Sequence, residues 1–394
     1  MKLLEYQAKQ RFAGAGITVP QGRLARTPDE AAAAAAELGT IAIKAQVPIG
    51  GRGKAGGIAV VATPEEARRE AQRILSMDIR GYPVRSVWCE TGLDIEAELY
   101  LGVTLDRDRR RLVVIFSGAG GMDIEQVAAE TPERIAKLWP DPFAGPLSFE
   151  MRELAFNGLS HAPQLRARAG VLASGLASAG RALYGLAVSL DALTCEINPL
   201  VLTPSGALVA ADGKLEIDEN AEYRHRDVAA EIAADQSAGG SSGEDPFEAE
   251  ARRRGLTYVH LDGTVGCIGN GAGLTMNTLD LVKQQGGEPA NFLDIGGGAN
   301  AEKARNALEM VLLDPNVRGV FINSFGGITR GDEVARGIIA ARDELHITKP
   351  LVVRMTGTKE EEGRALLQRA GIVPATSAME AARTIVELTK DGAR

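Results

Sequence analysis

Apolar positions in the first part of the chain come in short runs of changing period. Ile41 to Val47, Ile58 to Ala62, Leu99 to Leu105 and Leu112 to Phe116 read as strands, being brief, rich in branched residues and bounded by turn residues. Thr27-Pro28-Asp29-Glu30 and Thr63-Pro64-Glu65-Glu66 each offer a capping hydroxyl, a proline for the first helical position and a carboxylate three residues after the cap. That pattern predicts a helix start at both. The strands flanking Arg107-Asp108-Arg109-Arg110-Arg111 should pair as a hairpin with a solvated turn, as should Leu193 to Leu202 and Ala207 to Ala211 around Thr203-Pro204-Ser205-Gly206. This part is α+β and rich in antiparallel pairs.

Periodic apolar pattern is lost over Ser237-Ala238-Gly239-Gly240-Ser241-Ser242-Gly243-Glu244-Asp245-Pro246, which places a domain boundary there, with domains at 1–238 and 239–394. Beyond it the chain alternates regularly. Strands near Thr257–Leu261, Asn291–Ile295, Val317–Asn323, Pro350–Met355 and Ile372–Ala375 are separated by helical segments such as Ala301–Leu313, Asp332–Leu345 and Met379–Leu388. This order predicts an α/β domain: a parallel sheet with helices on both faces and ligands at the carboxyl ends of its strands.

At 394 residues the chain has room for two hydrophobic cores, and 45% apolar with 24% charged residues is the composition of a globular enzyme. The net charge of −8 argues against a nucleic-acid partner. The start, Met1-Lys2-Leu3-Leu4-Glu5-Tyr6-Gln7, carries a carboxylate where a signal peptide needs an apolar stretch, and no apolar run is expected to reach membrane-spanning length. The expectation is a protein of the cytoplasm, or of an organelle matrix in a eukaryote, with no membrane partner. Cys89, Cys195 and Cys267 are too dispersed for a metal pattern and read as reduced, with neither a disulfide nor a zinc site.

Candidate chemistry lies in glycine-rich stretches and in a few acids and amides. Gly50-Gly51-Arg52-Gly53-Lys54-Ala55-Gly56-Gly57 joins unhindered backbone N–H groups to two cations, as a loop covering a triphosphate requires. It lacks Walker spacing, and a mobile surface loop is the alternative. Lys44, on a mostly apolar strand, needs a partner: a phosphate, or solvent from an edge position. Glu196 and Asn198 stand two apart on one strand face, with Asp212 on the returning strand. Oxygen ligands so gathered suit Mg²⁺, although each acid taken alone reads as a solvated charge. Gly296-Gly297-Gly298 and Gly326-Gly327-Ile328 each follow a strand and precede a helix, where free N–H groups can receive an anion. Neither has dinucleotide spacing, and a tight turn without ligand is the other reading.

Several stretches occur in one order along nearly the whole chain: Leu4-Glu5-Tyr6-Gln7-Ala8-Lys9, Gly51 to Gly57, Glu196-Ile197-Asn198-Pro199-Leu200, Asp212-Gly213-Lys214, Asn270-Gly271-Ala272-Gly273-Leu274, Gly286 to Asp294 and Phe325-Gly326-Gly327-Ile328. As a set they resemble the β subunits of ADP-forming succinyl-CoA synthetases, and equally those of malate–CoA ligases. The resemblance implies an ATP-grasp domain followed by a flavodoxin-like CoA-ligase domain. It implies that Lys44, Gly51, Arg52, Gly53, Glu90 and Glu98 contact ATP or ADP, that Asn198 and Asp212 hold Mg²⁺, and that Glu196 faces a phosphohistidine of a partner α subunit. That partner would also bind most of the CoA. Asn270, Gly326, Gly327 and Ile328 would line the site of a small dicarboxylate substrate, and Pro20, which offers no side-chain hydrogen bond to a base, implies adenine over guanine. The chain departs from the family at Ala119, where glutamate is usual. The chain's own His161, His225, His260 and His346 lie outside every glycine-rich stretch. Rival readings are a free-standing ATP-grasp ligase and a non-catalytic nucleotide sensor.

Overall fold

The computed structural model describes residues 1–237, 245–297, 300–327 and 329–390. The chain divides into two compact units, Met1–Gly243 and Glu244–Arg394. The glycine- and serine-rich run read as a boundary falls largely outside the described residues.

Besides a two-stranded pairing of Asp78–Ile79 with Tyr82–Pro83, the first unit holds two larger antiparallel sheets. The smaller has the order Gly22–Ala25, Val87–Thr91, Ile41–Ala45, Ile58–Val61. Ile41, Ile43, Ala45, Val87 and Cys89 pack against Ala31, Ala35, Ala67, Ala71 and Ile74 of the helices Pro28–Leu38 and Pro64–Leu75. Both helices start as the sequence predicts: the Thr27 hydroxyl accepts from Glu30 N, and the Glu30 carboxylate accepts from Thr27 N, each at 3.2 Å. Thr63 and Glu66 repeat the arrangement. Each such cap contributes about 1 kcal/mol.

The larger sheet runs Leu208–Ala210, Ala192–Leu202, Ala97–Asp106, Arg111–Ser117, Ile135–Leu138, with Lys214–Ile217 also pairing with Ala192–Leu202. Both expected hairpins form, Asp106 facing Arg111 and Leu202 facing Leu208. The helix Ala169–Ser189 packs on this sheet. Contrary to the expectation from sequence, its 21 residues are long and apolar enough to cross a membrane. Leu172, Leu176 and Leu183 are buried in the core with Leu101 and Ile197, so its apolar face has a protein partner.

Two details of this sheet shape the site. Ile197 faces Leu101 but Leu200 faces Leu99, so Ala192–Leu202 carries one residue more than its neighbour around the cis Asn198-Pro199 peptide. Such a bulge bends a strand and re-aims its side chains. Opposite it, the returning strand stops at Ala210. Asp212 therefore does not sit on that strand, as expected, but in the gap before Lys214–Ile217, where the irregular partner offers no continuous ladder.

The second unit has one sheet, ordered Thr257–His260, Asn291–Asp294, Val265–Gly269, Gly319–Gly326, Leu351–Gly357, Val373–Ala375. Helices Ala301–Leu312 and Gly331–Glu344 share one core with it, and Ala272–Gln284 and Ala378–Lys390 another. The sheet is parallel except at Thr257–His260, which runs antiparallel to Asn291–Asp294. The expectation of a wholly parallel sheet fails here because only Leu261 to Thr264 separate that strand from the next, and parallel pairing needs a crossover of about a dozen residues. Val265–Gly269, unread in the sequence, is a central strand. Its glycines permit close helix packing: a Cβ on Gly266 would lie 2.3 Å from Val311 Cγ1, and one on Gly269 2.3 Å from Thr275 Oγ1. Cys89, Cys195 and Cys267 are all buried thiols.

Candidate active site

In the first unit a cleft of about 590 Å³ opens where the loop after Ile41–Ala45, the segment Gly121–Glu125, the bulged strand and Asp212–Lys214 converge. Gly51, Arg52, Gly53, Glu98, Glu196, Asn198 and Asp212 all line it. Lys44 and Glu90 do not. They are buried in a charged network that meets the cleft at Glu5, Arg52 and Asp212.

That network begins on the helix Glu5–Gly14. Lys9 Nζ lies 2.5 Å from Glu90 and 2.8 Å from Glu5, while Lys44 Nζ lies 2.7 Å from Glu90 and 3.1 Å from Glu5. Arg52 donates to Glu5 at 2.5 Å, to the Ala45 carbonyl at 3.1 Å and to both oxygens of Asp212 at 2.7 and 2.8 Å. Trp88 Nε1 donates to Glu90 at 2.8 Å, and its ring stacks on Tyr6. Lys9, Lys44 and Arg52 thus balance Glu5, Glu90 and Asp212, which is how charges survive burial. Burial pushes the Glu5 carboxyl up, but Arg52, Lys44 and Lys9 together hold it well below the usual carboxylate range. Lys44 is pulled up by Glu5, Glu90 and Asp212 against the opposing effect of burial, and stays charged. Neither sequence alternative for Lys44, phosphate or solvent, describes its present partners.

At the bulge, Asn198 Oδ1 accepts from Gly121 N at 2.8 Å and its Nδ2 donates to the Met122 carbonyl at 2.9 Å, so the side chain fastens the neighbouring loop. Asp212 accepts from its neighbour Gly213 N at 2.7 Å as well as from Arg52. For Mg²⁺ the donor set fits: one carboxylate and one amide oxygen line the same cleft, and Mg²⁺ takes few protein oxygens beside water and phosphate. Among the described residues no group of three or more His, Cys, Asp or Glu side chains forms an all-protein metal cage. Burial raises the Glu196 carboxyl, Lys214 opposes that rise, and Glu125 adds to it. Sequence reasoning missed Glu125 and the roles of Lys214, Glu5 and Lys9. The last two form an i,i+4 pair, which on a helix ordinarily signals an exposed ion pair.

In the second unit Asn270 clasps one backbone residue: its Oδ1 accepts from Phe325 N at 2.7 Å and its Nδ2 donates to the Phe325 carbonyl at 2.8 Å. Gly326 closes its strand, with its carbonyl accepting from Thr358 N at 3.1 Å. Gly327 follows, and among the described residues other than its chain neighbours no atom lies within 4 Å of where a Cβ would stand. Ile328 and Gly298 lie outside the described residues. Gly296 N, at the other glycine-rich turn, donates to Asp294 at 2.7 Å.

Residues 2–202 match the ATP-grasp domain family and residues 268–386 the CoA-ligase family. The chain is 49% identical over 393 residues to the β subunit of a GDP-forming succinate–CoA ligase of Thermus thermophilus, covering 98% of this chain and 99% of that one. It belongs to the succinate–CoA ligase β-subunit family. An ADP-forming member of the family from Rubrobacter xylanophilus is 48% identical over 397 residues, covering all of both chains. Overall identity therefore does not separate the two nucleotide classes within the family. The fold is shared more widely: an ATP citrate lyase of Methanothrix soehngenii, solved with citrate and coenzyme A, superimposes with a TM-score of 0.68 at 18% identity, over 98% of this chain and 99% of that one. Ala119 is buried and lies outside the cleft lining.

Proposed function

We propose that this chain is the nucleotide-binding β subunit of an ATP-dependent, ADP-forming succinate–CoA ligase that works through a phosphohistidine on a partner α subunit. The observation that carries the reading is the convergence of Arg52, Asn198, Asp212 and Glu196 on one cleft, in a chain whose relatives of nearly equal length bear that activity in their names. In this reading the N–H groups of Gly51 and Gly53 and the guanidinium of Arg52 receive the nucleotide phosphates, with Lys44 supplying positive potential from the buried network and Glu98 bordering the nucleotide. Asn198 and Asp212 hold Mg²⁺, which supplies neutralisation of charge on the transferred phosphoryl group. Glu196 accepts from the ring N–H of the partner's histidine and steadies its cationic form.

The γ-phosphoryl group then passes to the histidine as its bond to ADP breaks. A carboxylate oxygen of succinate takes it next, giving an acyl phosphate and freeing the histidine. The CoA thiol finally attacks the acyl carbon and phosphate leaves. Asn270 shapes the second site through Phe325, with Gly326, Gly327 and Ile328 offering backbone groups to the acid or the phosphohistidine.

Glu196→Gln tests the assignment. It should bind ATP as the unaltered chain does and lose phosphorylation of the partner, followed with γ-labelled ATP. Equal loss of both would make Glu196 a structural residue or a metal ligand. Alone, the chain should bind Mg-ATP yet form no acyl-CoA, and acyl-CoA formation without the partner would point to a self-sufficient ligase.

A further inference from the structure

The motif Leu4 to Lys9 is left without a task by the proposed chemistry, yet Lys9 is 1% exposed and its ammonium is fully engaged. Besides Glu5 and Glu90 it donates to the Ala211 carbonyl at 2.6 Å, and Lys44 donates to the same oxygen at 2.5 Å. The other end of that residue is held too: Ala211 N donates to the Pro199 carbonyl at 3.1 Å. Ala211 therefore stands between Asp212, its successor in the chain, and the bulge that carries Asn198. Glu5 acts on Asp212 from the other side, through the guanidinium that grips both of its oxygens.

We infer that Lys9, together with Glu5, is a positioning residue for the metal: it fixes the Ala211 peptide and thereby the relative placement of Asp212 and Asn198. The inference rests on the proposed metal site. It assigns the N-terminal helix a role in chemistry about 200 residues away in sequence, by the logic through which groups behind metal ligands tune affinity. Glu5, Glu90 and the Ala211 carbonyl take its three donors, and of these contacts the one to Ala211 reaches the peptide that joins the two candidate ligands.

The test measures two affinities on the full chain with its matching partner subunit: Mn²⁺ in the presence of ADP, by electron paramagnetic resonance, and ADP in EDTA, by calorimetry. Lys9→Met should weaken Mn²⁺ binding by about 10–100-fold, the usual effect of losing support behind a ligand, and leave metal-free ADP binding nearly unchanged. Should Lys9→Met fail to fold, Lys9→Met/Glu90→Gln, which keeps the buried charge balanced, is compared with Glu90→Gln and should show the same split. Equal losses in both affinities, or unchanged Mn²⁺ affinity, overturns the inference. Asp212→Ala separates the two levels. If it binds Mn²⁺ normally, the metal site itself is wrong and the inference falls with it. If it loses Mn²⁺ while Lys9→Met does not, only the positioning role fails.

Discussion

Arg52→Met removes the guanidinium that joins the buried network to the cleft. Four hydrogen bonds go with it: two to Asp212, one to Glu5 and one to the Ala45 carbonyl. Breaking a buried pair from one side costs about 3–5 kcal/mol. Two features place this case at the low end. Asp212 has a side chain 29% exposed and recovers water, and Glu5, though buried, keeps Lys9 at 2.8 Å and Lys44 at 3.1 Å. A loss of about 3 kcal/mol lowers the melting temperature of a unit this size by about 6–12 °C. Trp88 and Trp139, the chain's two tryptophans, both belong to the first unit, so fluorescence-detected melting reports on it selectively. Arg68→Met is the control: its pair with Asp29 is exposed on both sides and is worth less than about 1 kcal/mol. If Arg52→Met melts no lower than Arg68→Met, the network does not stabilise the fold and the charge-balance argument is wrong.

Asp212→Ala and Asn198→Ala should each abolish Mg²⁺-dependent turnover with circular dichroism unchanged, and Asn198→Ala should also speed proteolysis near Gly121 and Met122, whose backbone it holds. Gly327→Val should fold and lose partner-dependent acyl-CoA formation, whereas Gly326→Ala should destabilise the second unit, because its Cβ would meet Thr329 O at 2.8 Å and Thr358 N at 3.0 Å. His260 lies between Asp245 and Asp314, which raise its pKa against the lowering effect of burial. Its stabilisation should be complete below its unfolded pKa of about 6.5 and vanish as pH rises through the higher folded value. Amide exchange in the helix Pro246–Arg253, capped by Asp245, should therefore differ between the unaltered chain and His260→Gln in acid and converge in alkali. ATP should show a lower KM than GTP, and the reverse order would refute the reading of Pro20.

Local signals carried much of this fold. Thr27, Thr63 and the two hairpin turns are decided by chemistry within a few residues, and each forms where expected. Val265–Gly269 escaped notice because its glycines answer to helices elsewhere in the sequence, and in one dimension they mimic a turn. The glycine-rich loop, the acids and the amide were legible as residue types, but their partners were not. Lys9 meets Glu90 and Ala211 across 81 and 202 positions, distances over which no periodic pattern extends.

The extra residue at Asn198-Pro199 shifts the phase of its strand. Cys195 and Ile197 before it and Leu200 and Leu202 after it reach the same core, so the inward parity changes from odd to even at the candidate metal ligand. Deleting either residue of that pair would restore simple alternation, with Leu200 still opposite Leu99 and still inward, and would remove the bulge at which Asn198 reaches the neighbouring loop. The burial of the strand beyond it is thus the same with or without the extra residue, whereas the aim of the Asn198 side chain is not. The extra residue therefore answers to the cleft and not to the hydrophobic core.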